Sequence, residues 1–139
     1  MHAREYARRY AEAEVTAVDR GRLLLLVFEG GLRFLHVTRD ALAAGDLARF
    51  GEYLGRSQAI VAELLRTLDR QAGGALATDL ARLYEFMLFH LTEANVQKSV
   101  RHVEQVIGVF GTIAGAYREI IEGRPATVAA PASAPGAAL

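Results

Sequence analysis

The chain of 139 residues has no cysteine, no tryptophan, no surplus of either charge and no long apolar run. Each absence excludes something. Without cysteine there are no disulfides and no thiolate chemistry, which fits a reducing compartment. Sixteen Lys plus Arg balance sixteen Asp plus Glu, so no global positive field draws in nucleic acid or an anionic membrane. The longest wholly apolar run, Leu23 to Phe28, is six residues. A membrane span needs about twenty, and the core of a signal peptide about seven to fifteen. The expectation is a cytoplasmic chain with no membrane insertion and no nucleic-acid partner. All three prolines, Pro125, Pro131 and Pro135, fall after Gly123, in a stretch of Ala, Pro, Gly and Ser with no charge beyond Arg124. Residues 123–139 therefore read as a disordered tail.

What is present is helical periodicity. Hydrophobic residues make up 52% of the chain, enough for one continuous core in one domain. The stretch Arg22 to Leu35 is too apolar for an ordinary surface helix. Leu23, Val27, Phe34 and Val37 form one stripe, Leu24, Phe28, Leu35 and Leu42 a second, and Leu25, Leu26 and Leu32 widen the surface further. Such a helix needs neighbours on several sides. Asp19 is the candidate N-cap of this first helix, which Gly45 ends. Asp46 caps a second, with Leu47, Phe50, Leu54, Val61, Leu64, Leu65 and Leu68 on one face at near-heptad spacing. Gly73-Gly74 breaks it. A third helix follows with Leu76, Leu80, Leu83, Met87, Leu91 and Ala94 in line, flanked by Tyr84 and Leu88. Ser99 caps a fourth, whose inner face is Val103, Val106, Ile107, Phe110, Ile113, Ala114, Tyr117, Ile120 and Ile121. Short connections between such helices predict an all-α, antiparallel up-and-down four-helix bundle. Residues 19–122 form it. Ahead of it, residues 1–18 are expected as a short amphipathic cap helix with Tyr6 and Tyr10 on one side, marginal alone and ordered only when the tyrosines dock.

Catalytic motifs are missing. A di-iron bundle needs Glu-x-x-His pairs, and no Glu here has His three residues later. His2, His36, His90 and His102 are scattered over different elements, which argues against zinc. No phosphate-cradling Gly-rich loop and no Gly-x-Ser-x-Gly elbow occurs. No enzyme activity, cofactor or metal is expected. Two alternatives remain open: a phosphotransfer domain with His90 as nucleophile, and a bundle that self-associates through its apolar face. Helical glycines are the remaining anomaly, since each costs up to about 1 kcal/mol relative to alanine. Gly51 and Gly55 lie four apart on the second helix, and Gly108, Gly111 and Gly115 lie on one side of the fourth. They permit close packing inside the bundle, reflect a composition that favours Gly and Ala, or form a shallow groove for a partner helix.

Several stretches together resemble the flagellin-specific flagellar export chaperone family, FliS. The points of resemblance are Tyr10 with Val15; Leu23 through Phe34 against the family's Leu-x-x-x-Leu-Tyr-Asp-Gly-Ala-x-x-Phe; Glu63-Leu64 to Leu68-Asp69; the Gly73-Gly74 turn; and Leu83-Tyr84-Glu85-Phe86-Met87, followed by Leu91 and Glu93-Ala94-Asn95. Departures are Ala17-Val18-Asp19-Arg20 in place of Thr-Ala-Ser-Pro, Val27-Phe28-Glu29 in place of Leu-Tyr-Asp, and Tyr117 where Trp is common. The resemblance implies a cytoplasmic chaperone that binds the disordered C-terminal segment of flagellin, prevents early polymerisation and assists delivery to the flagellar export gate. It also leaves room for flagellar regulators as partners. On this analogy Tyr6 and Tyr10 belong to a mobile segment covering the client site. The other partner-binding candidates are Leu25, Leu26 and Val27 on the first helix, with Gly108 and Gly111 as a helix-docking groove.

Overall fold

The computed structural model describes residues 2–123, with the side chains of all of these except Tyr10 and residues 13–18. The fold is all-α, a helical bundle with no strand among the described residues. Its helices are α1 (His2–Ala43), α2 (Leu47–Arg66), α3 (Arg70–Gln97) and α4 (Val100–Glu122). The expected tail, beyond Gly123, lies outside the described residues.

The first helix departs from expectation. No short cap helix stands apart, because α1 runs unbroken for 42 residues and Asp19 lies inside it instead of capping its start. The physical reason is nucleation. A short N-terminal helix alone must bear the unfavourable first turn, whereas the same residues added to an established helix only propagate it.

The remaining boundaries follow local chemistry. Gly45 takes φ 77° and ends α1 with paired bonds, its N–H to the Leu42 carbonyl at 3.0 Å and the Asp46 N–H to the Ala41 carbonyl at 2.9 Å. This is a Schellman closure, and glycine adopts its left-handed backbone at least cost. Asp46 then caps α2, its carboxylate accepting from the Arg49 N–H at 3.2 Å. The break before α3 comes earlier than Gly73-Gly74. Asp69 caps α3 by accepting from the Ala72 N–H at 3.0 Å, and Gly74 (φ 55°, ψ −131°) kinks the helix one turn later. Lys98, left-handed at φ 52°, terminates α3. Ser99 accepts from the His102 N–H at 3.4 Å to open α4.

The chain divides into two compact units, one of residues 28–113 and the other, in its described part, of residues 2–27 and 114–123. The first holds the main core. Phe28 and Leu35 of α1, Phe50, Leu54, Val61 and Leu64 of α2, Tyr84, Met87 and Leu91 of α3, and Val103, Val106 and Phe110 of α4 are all buried. Each fully buried large apolar side chain contributes roughly 1.5–3 kcal/mol. Phe28 and Phe110 meet with ring centroids 5.4 Å apart, tilted at 50°. Gly31 makes this possible, for a Cβ there would lie 2.8 Å from Phe110 Cζ and 3.1 Å from Ile60 Cγ2.

Ser57 occupies the α2 heptad position between Leu54 and Val61 and is fully buried beside Thr38 of α1. Their hydroxyls are 3.4 Å apart. Each also donates to a carbonyl of its own helix, Thr38 to Phe34 at 2.7 Å and Ser57 to Tyr53 at 2.8 Å. The buried pair is thereby satisfied.

On α3 the first half of the buried stripe is Ala77, Ala81 and Tyr84, while Leu76 and Leu83 are exposed. The expected line of Leu76, Leu80 and Leu83 is one residue out of phase there. The buried positions there are small alanines, and α2 packs directly on α3. In the second unit, Gly21 of α1 faces Ile121 of α4, whereas Ile120, expected on the inner face, is exposed.

Candidate functional site

Three neighbouring residues of α1 were candidates together, and helical geometry separates them. Successive positions differ by about 100° around the axis. Leu25 turns into the protein at 7% exposure, while Leu26 is 62% and Val27 37% exposed. Leu25 therefore belongs to the core, and Leu26 and Val27 remain available. Leu23, at 64%, joins them as an uncovered apolar side chain that the candidate set omitted. Tyr6 stands in solvent at 74% exposure; the Tyr10 side chain lies outside the described set.

The glycines divide cleanly. Gly31 is required by internal packing, as shown above. A Cβ on Gly108 would meet no atom within 4 Å, and one on Gly111 would just reach Leu32 Cδ1 at 4.0 Å. Gly51 and Gly55 are likewise open. Close packing inside the bundle therefore does not explain these two pairs of helical glycines. Gly108 and Gly111 form a short strip of bare α4 backbone in the unit of residues 28–113.

Further apolar exposure lies on α3. Phe86 is 40% and Phe89 59% exposed, and Leu83 lies one turn before Phe86. Sequence reading missed this face because it placed Leu83 in the core line. The usable signal was the heptad spacing of Ala77, Ala81, Tyr84, Leu91 and Ala94, which leaves Phe86 and Phe89 outside.

Two of the four histidines that looked scattered prove to be neighbours. His90 Nδ1 lies 2.7 Å from His102 Nδ1. The Nδ1 edge of His90 is thereby engaged by His102. Among the described residues no three His, Cys, Asp or Glu side chains are grouped to hold a metal ion. No helix among them is long and apolar enough to cross a membrane.

The family model described as "Flagellar protein FliS" matches residues 2–124. The chain belongs to the FliS family. Among its relatives, the flagellar secretion chaperone FliS of Salmonella typhimurium is 32% identical over 116 residues, covering 83% of this chain and 86% of the relative. The flagellar secretion chaperone FliSB of Pseudomonas aeruginosa is 33% identical over 103 residues, 74% and 82% of the two chains. The flagellar secretion chaperone FliS of Bacillus subtilis is 26% identical over 113 residues, 81% and 84% of the two chains. FliS is a family of flagellar secretion chaperones and not of enzymes, so the features to interpret in this FliS-family chain are surfaces that hold a client.

Proposed function

We propose that this chain binds the disordered C-terminal segment of flagellin in the cytoplasm, keeps it from polymerising early and assists its delivery to the flagellar export apparatus. The observation that carries the reading is uncovered apolar surface on a chaperone-family chain. Leu26 and Val27 on α1 are exposed although they lie in its most apolar stretch, and Gly108 and Gly111 leave α4 backbone bare. A polymerising subunit with amphipathic terminal helices has the complementary need, since its apolar faces pair with other subunits unless something covers them. A client that folds onto the chaperone buries a large area but loses chain entropy, which keeps affinity useful and release feasible.

Tyr6 and Tyr10 enter the proposal as a client-responsive N-terminal segment. Tyr6 is exposed and so open to a client. Leu25, being buried, supports the site from beneath by holding α1 in place.

The test is isothermal titration of the full chain with a peptide spanning the C-terminal segment of the same organism's flagellin, repeated after deletion of residues 1–14. One-to-one binding with a strongly negative heat-capacity change supports the client assignment. The deletion separates a competing lid, which gives tighter binding, from a part of the site, which gives weaker binding. Absence of heat together with absence of comigration would remove flagellin as the client.

A further inference from the structure

At the join of α3 and α4, four aromatic rings form a connected cluster. The His90 ring lies 4.2 Å from Phe86 and 5.2 Å, edge-on, from Phe89, and it stacks on His102 at 5.0 Å and 30°. Within the cluster the two Nδ1 atoms are 2.7 Å apart. Two ring nitrogens hold that distance only when one carries a proton and donates it to the lone pair of the other. The tautomers are thereby coupled. The donor ring keeps its free lone pair on Nε2, and the acceptor ring carries its proton there.

One added proton is tolerated. It goes to Nε2 of the donor ring, and the resulting imidazolium still donates from Nδ1, now in a charge-assisted bond. A second proton has only one lone pair left, the accepting Nδ1 itself. Taking it turns the acceptor into a donor, so two N–H groups and two positive charges face each other. We propose that His90 and His102 form a proton-operated clasp between α3 and α4, closed while the rings share one Nδ1 proton and opened when both become imidazolium.

The charged surroundings agree with this sense of operation. Burial holds the His90 imidazole below the ordinary histidine range, the neighbouring His102 of α4 lowers it further, and Glu93 on α3 acts in the opposite direction. For the second proton the folded chain is therefore the weaker acceptor, and it declines one that the unfolded chain takes up. The contribution is fully present above the unfolded histidine value, about 6.5, and is lost as pH falls from there through the lower folded value. Opening also draws His102 away from the His90 ring, beside which Phe86 and Phe89 of the same helix pack, both already partly exposed. Acidification would thus loosen the α3–α4 join and uncover more aromatic surface beside it. The clasp operates whichever client the chain binds.

The experiment is an NMR titration of the imidazoles in the full chain between about pH 8.5 and 4.5, with amide hydrogen exchange followed across residues 97–102. The expected result is two protonation steps separated by more than about one pH unit, with exchange at the join accelerating at least tenfold below the second. In His102→Ala the remaining His90 should titrate in a single step nearer the ordinary value. Its unfolding midpoint should also fall less on acidification than that of the unaltered chain. His90→Gln, which removes the other partner, should flatten the same dependence, so a folding defect in one variant leaves the other to decide. Two rings that titrate independently near the ordinary value, or variants with an unchanged pH dependence of unfolding, would overturn the clasp.

Discussion

Replacing Gly108 by alanine should stabilise the free chain, a sign opposite to that of most substitutions. Gly108 lies inside α4 (Val100–Glu122) with no atom within 4 Å of where its Cβ would stand. No steric penalty therefore offsets the intrinsic preference of a helix interior for alanine, which is about 0.8–1.0 kcal/mol. The Gly108 carbonyl, which accepts from Thr112 Oγ1 at 2.9 Å, is unaffected by a side chain pointing away. For a domain of this size the gain corresponds to a rise in unfolding midpoint of roughly 3–6 °C, measured by thermal or urea denaturation followed by circular dichroism. Binding should move the other way. If a client helix lies against the bare backbone, Gly108→Leu should fold normally yet bind the flagellin C-terminal peptide at least about tenfold more weakly, a loss of about 1.4 kcal/mol. A destabilised Gly108→Ala chain would show that the strip is covered by the protein itself, and undiminished affinity in Gly108→Leu would remove it from the client site. The contrast between a more stable chaperone and a weaker binder is what a purely structural role cannot produce.

Gly31→Ala should do the reverse to stability, because its Cβ would press on Phe110 and Ile60. Overpacking costs about 1–3 kcal/mol and alanine's helix preference returns up to about 1, so urea denaturation should show a net loss. Phe110→Ala removes a side chain at 0% exposure and should cost about 3–5 kcal/mol, read in the same assay. Asp46→Ala deletes the carboxylate that accepts from the Arg49 N–H and should cost about 1 kcal/mol. Lys98→Gly relieves a left-handed backbone at φ 52° but gives up the Lys98 Nζ bonds to Asn95 at 2.7 and 3.0 Å. Those bonds are exposed, so a net gain of up to about 1 kcal/mol is expected in the thermal midpoint.

Much of the fold was legible in the residue order because the signals are local. Asp46 and Ser99 as caps, Gly45 as a stop and the all-helical class follow from which side chains can satisfy exposed amides and which backbones accept positive φ. The α2 face read correctly at Phe50, Leu54, Val61 and Leu64, since one heptad phase fits them all, but Leu47 at its head is exposed. Buried Ser57 escaped notice because it is polar. The N-terminal segment was misread for a different reason: whether a short stretch stands alone or extends its neighbour is decided by nucleation, which composition does not reveal.

Faces were the harder matter. Leu25, Leu26 and Val27 are equally apolar, and only the packing of α1 decides that the first is buried while the others meet solvent. Ala77 and Ala81 take the buried positions that the larger Leu76 and Leu83 seemed to claim, since a helix face is fixed by its phase against its neighbours and not by hydrophobic bulk. Gly31 and Gly108 are the same residue type, yet one is pressed by Phe110 and Ile60 and the other faces open space. His90 and His102, twelve residues apart, became a bonded pair only when α3 and α4 met. The sequence by itself determined that this chain is helical, where most of its helices begin and end, and which family it resembles, because capping, turn formation and periodicity act over a few residues. The tertiary structure alone decided which apolar residues remain uncovered, which glycines are free and which histidines touch, because each depends on what a distant part of the chain places against them.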